Sequence, residues 1–347
     1  MLRSFTGMCI ALGCAIASPA AIADPEWVLY KQRYLDAQGR IVDSANGGIS
    51  HSESQGIGLL LAVHNKDRAT FDKIWRWTQA NLQVRNDKLF AWKWTPTDAG
   101  ASGGNVEDRN NATDGDLLIA WALARAGRQW REASYLRLAR EISRDVRAKL
   151  VGESAYGTFL LPGEQGFLRD GAPIVNLSYW VFPALQAMSR LDPAPEWPRL
   201  IATGLQLLQT ARFGRWQLPS DWLMLADKPV LAPGFPPRFG YDALRIPLYL
   251  IWARLDNPAN LKPFTDFWGS FPDSFLPAWS ALNDDSTDTT GALPGVHAVA
   301  ALTRIRATAR SKARPPLKLP ALGAQDDYYS ASLLLLAKLA ASESGTR

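Results

Sequence analysis

Four carboxylate residues stand directly before long apolar segments, at points where the sequence changes abruptly from polar to hydrophobic. They are Glu53, Asp114, Asp116 and Asp242. A lone acid in the first turn of a helix is often no more than a cap that the helix dipole stabilises. Acids that begin separate helices can instead converge in one cleft, where paired carboxyl groups act as general acid and general base. The sequence therefore predicts a site for proton transfer.

The positions of these acids suggest different roles. Asp114 and Asp116 are two residues apart, which places them about 200° apart around a helix axis. We predict that Asp114 points into the cleft and that Asp116 is a structural acid that accepts hydrogen bonds from backbone amides. Asp242 is followed three residues later by Arg245. That spacing allows an ion pair that keeps Asp242 ionised as a base, although a plain intrahelical ion pair is the simpler interpretation.

Aromatic residues lie near the same loop ends and offer flat apolar faces, such as sugar rings require. Most of the 14 tryptophans are expected in the core, since tryptophan side chains are highly buried on average. We also predict that the polar side chains of Asn111 and Arg245 contact a substrate. The aromatic candidates for substrate binding are Trp92, Trp94, Tyr179, Trp180, Trp222 and Tyr241.

Other catalytic classes fit poorly. The chain has three histidines and two cysteines, and both cysteines lie near the amino terminus. No nucleophile elbow, calcium-loop spacing or glycine-rich nucleotide motif is present in the sequence. No basic run is interleaved with aromatics, so nucleic acid is a poor candidate ligand. We expect neither a metal nor a cofactor.

The first 23 residues resemble a secretory signal. Arg3 precedes an apolar stretch, and Ala21-Ile22-Ala23 supplies small residues for a cleavage site. We expect a mature chain of residues 24–347 that forms one catalytic domain in the periplasm or outside the cell. Because Cys9 and Cys14 lie in the signal, this domain is expected to have no disulfide. No second segment is long enough and apolar enough to span a bilayer.

Hydrophobic periodicity is helical along almost the whole chain. Apolar residues recur three and four apart in 71–82 and 135–146, as in helices with one buried face. Segments 56–63, 117–124, 179–191 and 243–252 are apolar on nearly every side, as in helices buried all round. This alternation predicts an all-α double ring, with at most a small β hairpin. The amino-terminal ends of the inner helices would then open on one face.

The residues Ala112-Thr113-Asp114-Gly115-Asp116 resemble the signature of glycoside hydrolase family 8. Further similarity lies in 50–53, 218–222 and 239–242, and it extends from about residue 27 to 300. The resemblance implies an (α/α)6 barrel that hydrolyses internal β-1,4-glucosidic bonds with inversion. It assigns Glu53 as proton donor and Asp242 as base, and Asp114 as the residue that holds the sugar and helps to position water.

The resemblance is strongest to the endoglucanases that accompany bacterial cellulose synthesis, which implies a β-1,4-glucan substrate and raises contact with a cellulose synthase complex as a possible interaction. Two alternatives stay open. The same fold also acts on xylan, chitosan or mixed-linkage glucan. A non-catalytic glucan-binding protein would use the acids only to contact sugar hydroxyls.

Overall fold

The computed structural model describes residues 24–97, 103–308 and 317–346. The predicted signal at residues 1–23 lies outside the described residues. Within the described ranges there are 11 α-helices. They are α1 (Pro25–Tyr34), α2 (Ser52–His64), α3 (Arg68–Asn81), α4 (Thr113–Gln129), α5 (Ala133–Leu150), α6 (Phe182–Leu191), α7 (Glu196–Thr210), α8 (Ile246–Trp252), α9 (Pro258–Gly269), α10 (Pro294–Ala307) and α11 (Tyr328–Ser344).

The helices form two concentric layers. The inner helices α2, α4, α6, α8 and α11 contact one another in that order, and α11 returns to α2, which closes the ring. Helix α10 packs against α8 and α11. Outside them, α3 packs on α2, α5 on α4, α7 on α6 and α9 on α8. The inner helices α2, α4 and α8 are buried on nearly every side, whereas α3, α5 and α7 bury one face. The predicted double ring of helices is therefore confirmed.

Two glycines allow α2 and α4 to approach closely. A Cβ atom on Gly56 of α2 would lie 2.6 Å from the Leu118 Cβ of α4. A Cβ atom on Gly115 of α4 would lie 2.1 Å from the Ser52 Oγ and 2.8 Å from the Glu53 backbone nitrogen. Any larger residue at these positions would push the first turns of the two helices apart.

Short strands connect the helices. They are β1 (Ser50–His51), β2 (Lys93–Pro96), β3 (Gly104–Asn105), β4 (Val151–Ser154), β5 (Gly157–Leu160), β6 (Leu168–Arg169), β7 (Ala172–Val175), β8 (Leu223–Leu225), β9 (Pro229–Leu231), β10 (Arg238–Phe239) and β11 (Ser280–Ala281). They pair antiparallel as β1-β2-β3, β4-β5, β6-β7-β8-β9 and β10-β11. The described chain thus has four small sheets where the sequence predicted at most one hairpin. Strands of two to four residues are too short to show alternation in a sequence.

These sheets fix the loops that precede the inner helices. Strand β1 pairs with β2, in the register Ser50 to Trp94, and leads directly into α2. Strand β10 pairs with β11 immediately before Asp242. The helices supply the frame, and the sheets orient the chain where it enters each inner helix. None of the helices in the described part of the chain has the length and apolarity needed to cross a bilayer.

Candidate active site

Three predicted acids lie where inner helices begin. Glu53 is the second residue of α2 and Asp114 is the second residue of α4. Asp242 comes directly before a 3-10 turn, Ala243–Arg245, that runs into α8. All three carboxyl groups surround the guanidinium of Arg245. The convergence that the sequence predicts is therefore observed.

Arg245 is the centre of this cluster, and its side chain is only 5% exposed. Its Nη1 contacts the Glu53 carboxylate and lies 3.6 Å from the Asp114 Oδ2. Its Nη2 lies 2.8 Å from the Asp242 Oδ1 and donates to the Ser178 Oγ at 3.2 Å. One cation thus contacts three acids from three different elements. The ion pair with Asp242 that the sequence suggested is only one part of its role.

Sharing one cation leaves the acids incompletely neutralised. Burial raises the pKa of Asp114 to about 7. Burial, reinforced by the nearby charges of Asp221 and Asp114, raises the pKa of Asp242 well above its usual range. Burial and two neighbouring acids thus oppose ionisation of Asp242, contrary to the expectation that Arg245 holds it ionised, and the same guanidinium also contacts Glu53 and Asp114. A raised pKa makes Asp242 a stronger base than an ordinary aspartate.

Asp116 has the structural role predicted for it. It is fully buried, and it accepts hydrogen bonds from the Phe90 backbone N–H at 2.9 Å and from the Asn111 Nδ2 at 2.7 Å. Burial raises its pKa to about 8. The Asn111 Oδ1 accepts the backbone N–H of Glu164 at 2.8 Å. Both ends of the Asn111 amide are therefore occupied inside the protein, and contact of Asn111 with a substrate stays a prediction.

Two of the predicted aromatic contacts belong to the core. Trp180 has no exposed surface and donates its indole N–H to the Leu160 carbonyl at 3.2 Å. Trp94 is 4% exposed and packs edge-on against Trp77 of α3. Neither ring is available to a ligand in this structure. The sequence places these residues near loop ends but does not show which side of each loop is covered.

The remaining aromatic candidates lie closer to the cleft surface. The centroid of the Tyr179 ring lies 5.8 Å from the Cζ of the Arg245 guanidinium. It lies 5.9 Å from the ring centroid of Trp222. Trp222 stacks on Phe235 at 4.4 Å and on Phe167 at 5.7 Å. These four rings form an aromatic cluster beside Arg245, in which the sequence analysis did not include Phe167 or Phe235.

Tyr241 and Trp92 lie apart from that cluster. Tyr241 is 43% exposed and packs edge-on against Tyr329, whose hydroxyl donates to the Tyr241 carbonyl at 2.6 Å. Trp92 is half-buried and donates its indole N–H to the Asp108 carboxylate at 2.8 Å. A cavity of about 490 Å³ opens beside Glu53 and Arg245. Its walls include His51, Tyr241, Leu293, Tyr328 and Tyr329.

The chain matches a protein family over nearly its whole length. The model of "Glycosyl hydrolases family 8" matches residues 3–343. The chain belongs to glycosyl hydrolase family 8. It is 40% identical over 338 residues to a "Probable endoglucanase" of Novacetimonas hansenii, covering 94% of this chain and 95% of that one. It is 38% identical to an "Endoglucanase" of Cellulomonas uda, covering 86% and 84% of the two chains.

Solved structures confirm the fold of this family 8 hydrolase. The endo-β-1,4-glucanase CMCax from Acetobacter xylinum superposes with a TM-score of 0.84 at 40% identity, covering 92% of this chain and 98% of that one. The double ring of helices is an (α/α)6 barrel, as the resemblance implied. Within the described ranges, no three His, Cys, Asp or Glu side chains are grouped so that they could hold a metal ion.

The candidate site also contains a histidine, His51, to which the sequence pattern assigns no role. The His51 Nδ1 accepts the Ser54 backbone N–H at 3.1 Å, which assigns the proton to Nε2. That Nε2 lies 3.5 Å from the Asp43 Oδ2, and Nδ1 lies 3.9 Å from the Glu53 Oε2. The imidazole therefore caps α2 and fixes the turn that carries Glu53.

Asp221 is a second site residue to which the sequence pattern assigns no role. It is 2% exposed, and its Oδ1 accepts the backbone N–H groups of Gly240 and Ala243, each at 2.8 Å. It also accepts the Arg238 Nε–H at 3.2 Å. Asp221 thus holds the backbone on both sides of Asp242. The sequence signal was its place in the motif 218–222, where a buried acid lies between Pro219 and Trp222.

Proposed function

We propose that this family 8 hydrolase is an endo-acting glucanase that cleaves internal β-1,4-glucosidic bonds of cellulose with inversion. The observation that carries the proposal is the set of three acids, each from the start of a different inner element, around Arg245 beside an open cavity. The names of its relatives supply the substrate class, since those at about 40% identity are called endoglucanase or endo-β-1,4-glucanase.

In the proposed reaction Glu53 is the proton donor. It protonates the glycosidic oxygen while the bond from that oxygen to the anomeric carbon breaks. Asp242 removes a proton from a water that attacks the same carbon from the opposite face, so the configuration inverts. Asp114 holds the sugar at the cleavage point and helps to orient the water. After products leave, the proton gained by Asp242 is returned through solvent and Glu53 is reprotonated.

The contacts of Arg245 support this division of labour. Glu53 and Asp242 are bound by different nitrogens of the guanidinium, so the two carboxyl groups are separated by its width. An inverting glycosidase needs its carboxyl groups roughly 6.5 to 9.5 Å apart, with space for a water. Entry of the sugar between them would separate Glu53 from Arg245, which frees Glu53 to act as an acid.

The aromatic residues support binding of a long neutral chain. The cluster of Phe167, Tyr179, Trp222 and Phe235 lies on one side of Arg245, and Tyr241 with Tyr329 lines the cavity beside it. Flat rings pack against the apolar faces of glucose units. Trp92 is a further candidate contact at the cleft edge.

We also propose the cellular setting. The resemblance of residues 1–23 to a secretory signal supports export to the periplasm or the medium, with residues 24–347 as a single catalytic domain. A role beside bacterial cellulose synthesis, with or without contact to the synthase complex, follows from the resemblance to glucanases of that process. Neither a metal nor a cofactor takes part in the proposed reaction.

The test is hydrolysis of carboxymethyl cellulose by the wild type, Glu53→Gln and Asp242→Asn, followed by viscosity and by release of reducing ends. We expect a rapid fall in viscosity with few new ends, and loss of both signals in the two variants while their circular dichroism stays native. Proton NMR of the first products should show the α-anomer.

Matched assays decide between this function and its rivals. Faster initial rates on xylan, chitosan or mixed-linkage glucan would change the substrate and keep the reaction. Binding of cello-oligosaccharides without hydrolysis of any of the four polymers by the folded wild type would favour a glucan-binding protein.

A further inference from the structure

Asn176 is a buried amide next to the acid cluster, and the mechanism above gives it no role. It follows strand β7 and has no exposed surface. Its Oδ1 accepts the Ser178 backbone N–H at 3.0 Å and the Ser178 hydroxyl at 2.7 Å. Because a backbone N–H can only donate, the oxygen of the amide must face Ser178. The orientation of the Asn176 side chain is therefore fixed.

This orientation leaves the Asn176 Nδ2 without a partner. Among the described residues this buried nitrogen has no hydrogen-bond partner. The Asn176 amide nevertheless lies close enough to the Asp242 carboxyl to lower its pKa, against the larger raising effects of burial and of the nearby acids Asp221 and Asp114. An unpaired buried donor is destabilising, so a folded protein rarely leaves one unsatisfied. Two buried polar groups that face each other without a direct hydrogen bond can be joined by one water.

Asn176 is also linked to Asp242 through a second route. The Ser178 hydroxyl donates to the Asn176 Oδ1 and accepts from the Arg245 Nη2 at 3.2 Å. The same Nη2 lies 2.8 Å from the Asp242 Oδ1. The Nδ2 of Asn176 thus faces Asp242. Its Oδ1 binds Ser178, and Ser178 in turn binds the guanidinium of Arg245 that contacts Asp242.

We propose that Asn176 is a positioning residue for the base: its Nδ2 holds the Asp242 carboxylate through one bridging water, while its Oδ1 and Ser178 fix Arg245. A donor at this place stabilises the ionised carboxylate that can accept a proton from the attacking water. This inference rests on the proposed glycoside hydrolysis for its kinetic consequences. Its structural content, the bridging water and the amide orientation, does not depend on the substrate.

Several titratable or charged groups surround Asp242 and influence its pKa in any pH measurement. They are Asp114, Asp221, Arg238, Arg245, Tyr179 and Tyr329. The substitution Asn176→Asp leaves all of them in place. It keeps an oxygen for Ser178 and replaces only the donor that faces Asp242, so it is the most conservative test. Asn260→Asp is the matched control, because Asn260 is 2% exposed and donates its Nδ2 to the Leu255 carbonyl at 2.8 Å in the outer helix α9.

The kinetic test compares the pH profiles of kcat and KM on a soluble cello-oligosaccharide. For Asn176→Asp we expect kcat to fall about tenfold or more, with KM nearly unchanged, since the loss concerns proton transfer rather than binding. The acidic limb of the profile should move to higher pH, because Asp242 loses a donor and gains a negative neighbour. Asn260→Asp should lower the melting temperature and leave the profile in place. A wild-type profile in folded Asn176→Asp would overturn the proposal.

A crystal structure of the wild type at high resolution supplies the second test, which needs neither a variant nor activity. We expect one ordered water within hydrogen-bonding distance of both the Asn176 Nδ2 and the Asp242 carboxylate. Density without that water, or an amide turned away from Asp242, would overturn the placement even if the enzyme hydrolyses cellulose. If the wild type hydrolyses no polymer but the water is present, the proposed function fails and the placement of Asn176 stands.

Discussion

The Nη2 of Arg245 lies 2.8 Å from the Oδ1 of Asp242, while the Nη1 of the same guanidinium contacts Glu53. The proposed base and the proposed acid thus contact one cation, although they come from two different inner elements, the turn before α8 and the start of α2. Any change to Arg245 should affect both partners together, and this coupling leads to the first prediction.

Replacement of Arg245 by Met should destabilise the protein more at neutral pH than at acid pH. The change leaves three acids without their cation, and breaking a buried ion pair typically costs about 3 to 5 kcal/mol. At lower pH the carboxyl groups are protonated and need no cation, so the loss should shrink. Urea unfolding at pH 7.5 and pH 5 measures it, with Arg245→Lys as the variant that keeps the charge. Equal losses at both pH values would contradict the cluster as described.

Asp116→Asn should gain stability relative to the wild type as the pH rises from 5 to 8. Burial raises the pKa of Asp116 from the ordinary 3.8 to about 8 in the folded protein. Between these values the folded state binds the extra proton, so the contribution of Asp116 is largest at acid pH and is lost as the pH rises through the folded pKa. Asparagine does not titrate. A difference in unfolding free energy that stays constant across this range would show that Asp116 is ionised throughout.

Gly115→Ala should reduce both stability and activity. The added Cβ would meet the Ser52 side chain and the Glu53 backbone, so it displaces the turn that carries the proposed acid. We expect a cost of about 1 to 3 kcal/mol from overpacking, together with a clear fall in kcat.

Gly269→Ala is the control for Gly115→Ala. A Cβ on Gly269, at the end of α9, meets nothing within 4 Å. This change should leave activity intact. Melting temperatures and kcat of the two variants test whether only Gly115→Ala loses stability and activity. A fully active Gly115→Ala would mean that α2 and α4 separate without moving Glu53.

Trp222→Ala and Trp180→Ala should fail in different ways. Trp222 belongs to the aromatic cluster beside Arg245, so its loss should raise KM for long oligosaccharides more than for short ones. Trp180 is fully buried, and its truncation should cost about 3 to 5 kcal/mol without an effect on KM in the folded fraction. Melting curves and KM for both variants test this. An unchanged KM for Trp222→Ala would show that the aromatic cluster does not bind the substrate.

The helices of the site and the acids at their starts were predictable because their sequence patterns are long or closely spaced. Helices of 10 to 17 residues, such as α2, α4 and α6, show their buried faces in the sequence. The acids at their starts follow from the change to apolar residues. The contact between Asp242 and Arg245 follows from a spacing of three along one turn.

The remaining features depend on contacts between distant segments. Nothing near Glu53 in the sequence indicates that its partner is Arg245 of a different helix. The burial of Trp94 and Trp180 depends on which elements cover each loop, and so does the occupied amide of Asn111. Asn176 and Ser178 lie in a turn with no periodic pattern. Their roles arise only once β7 places that turn beside the entrance to α8.

The balance of charge in the Arg245 cluster should also disfavour polysaccharides that carry a negative charge. Four carboxyl groups, those of Glu53, Asp114, Asp221 and Asp242, lie with only two guanidinium groups, those of Arg238 and Arg245. At a pH where these carboxyl groups are ionised, their excess repels polyuronates such as pectate or alginate. The same excess favours the positive charge that develops on a sugar ring as its glycosidic bond breaks. The same ring of helices would need a different set of charges to admit an anionic polysaccharide.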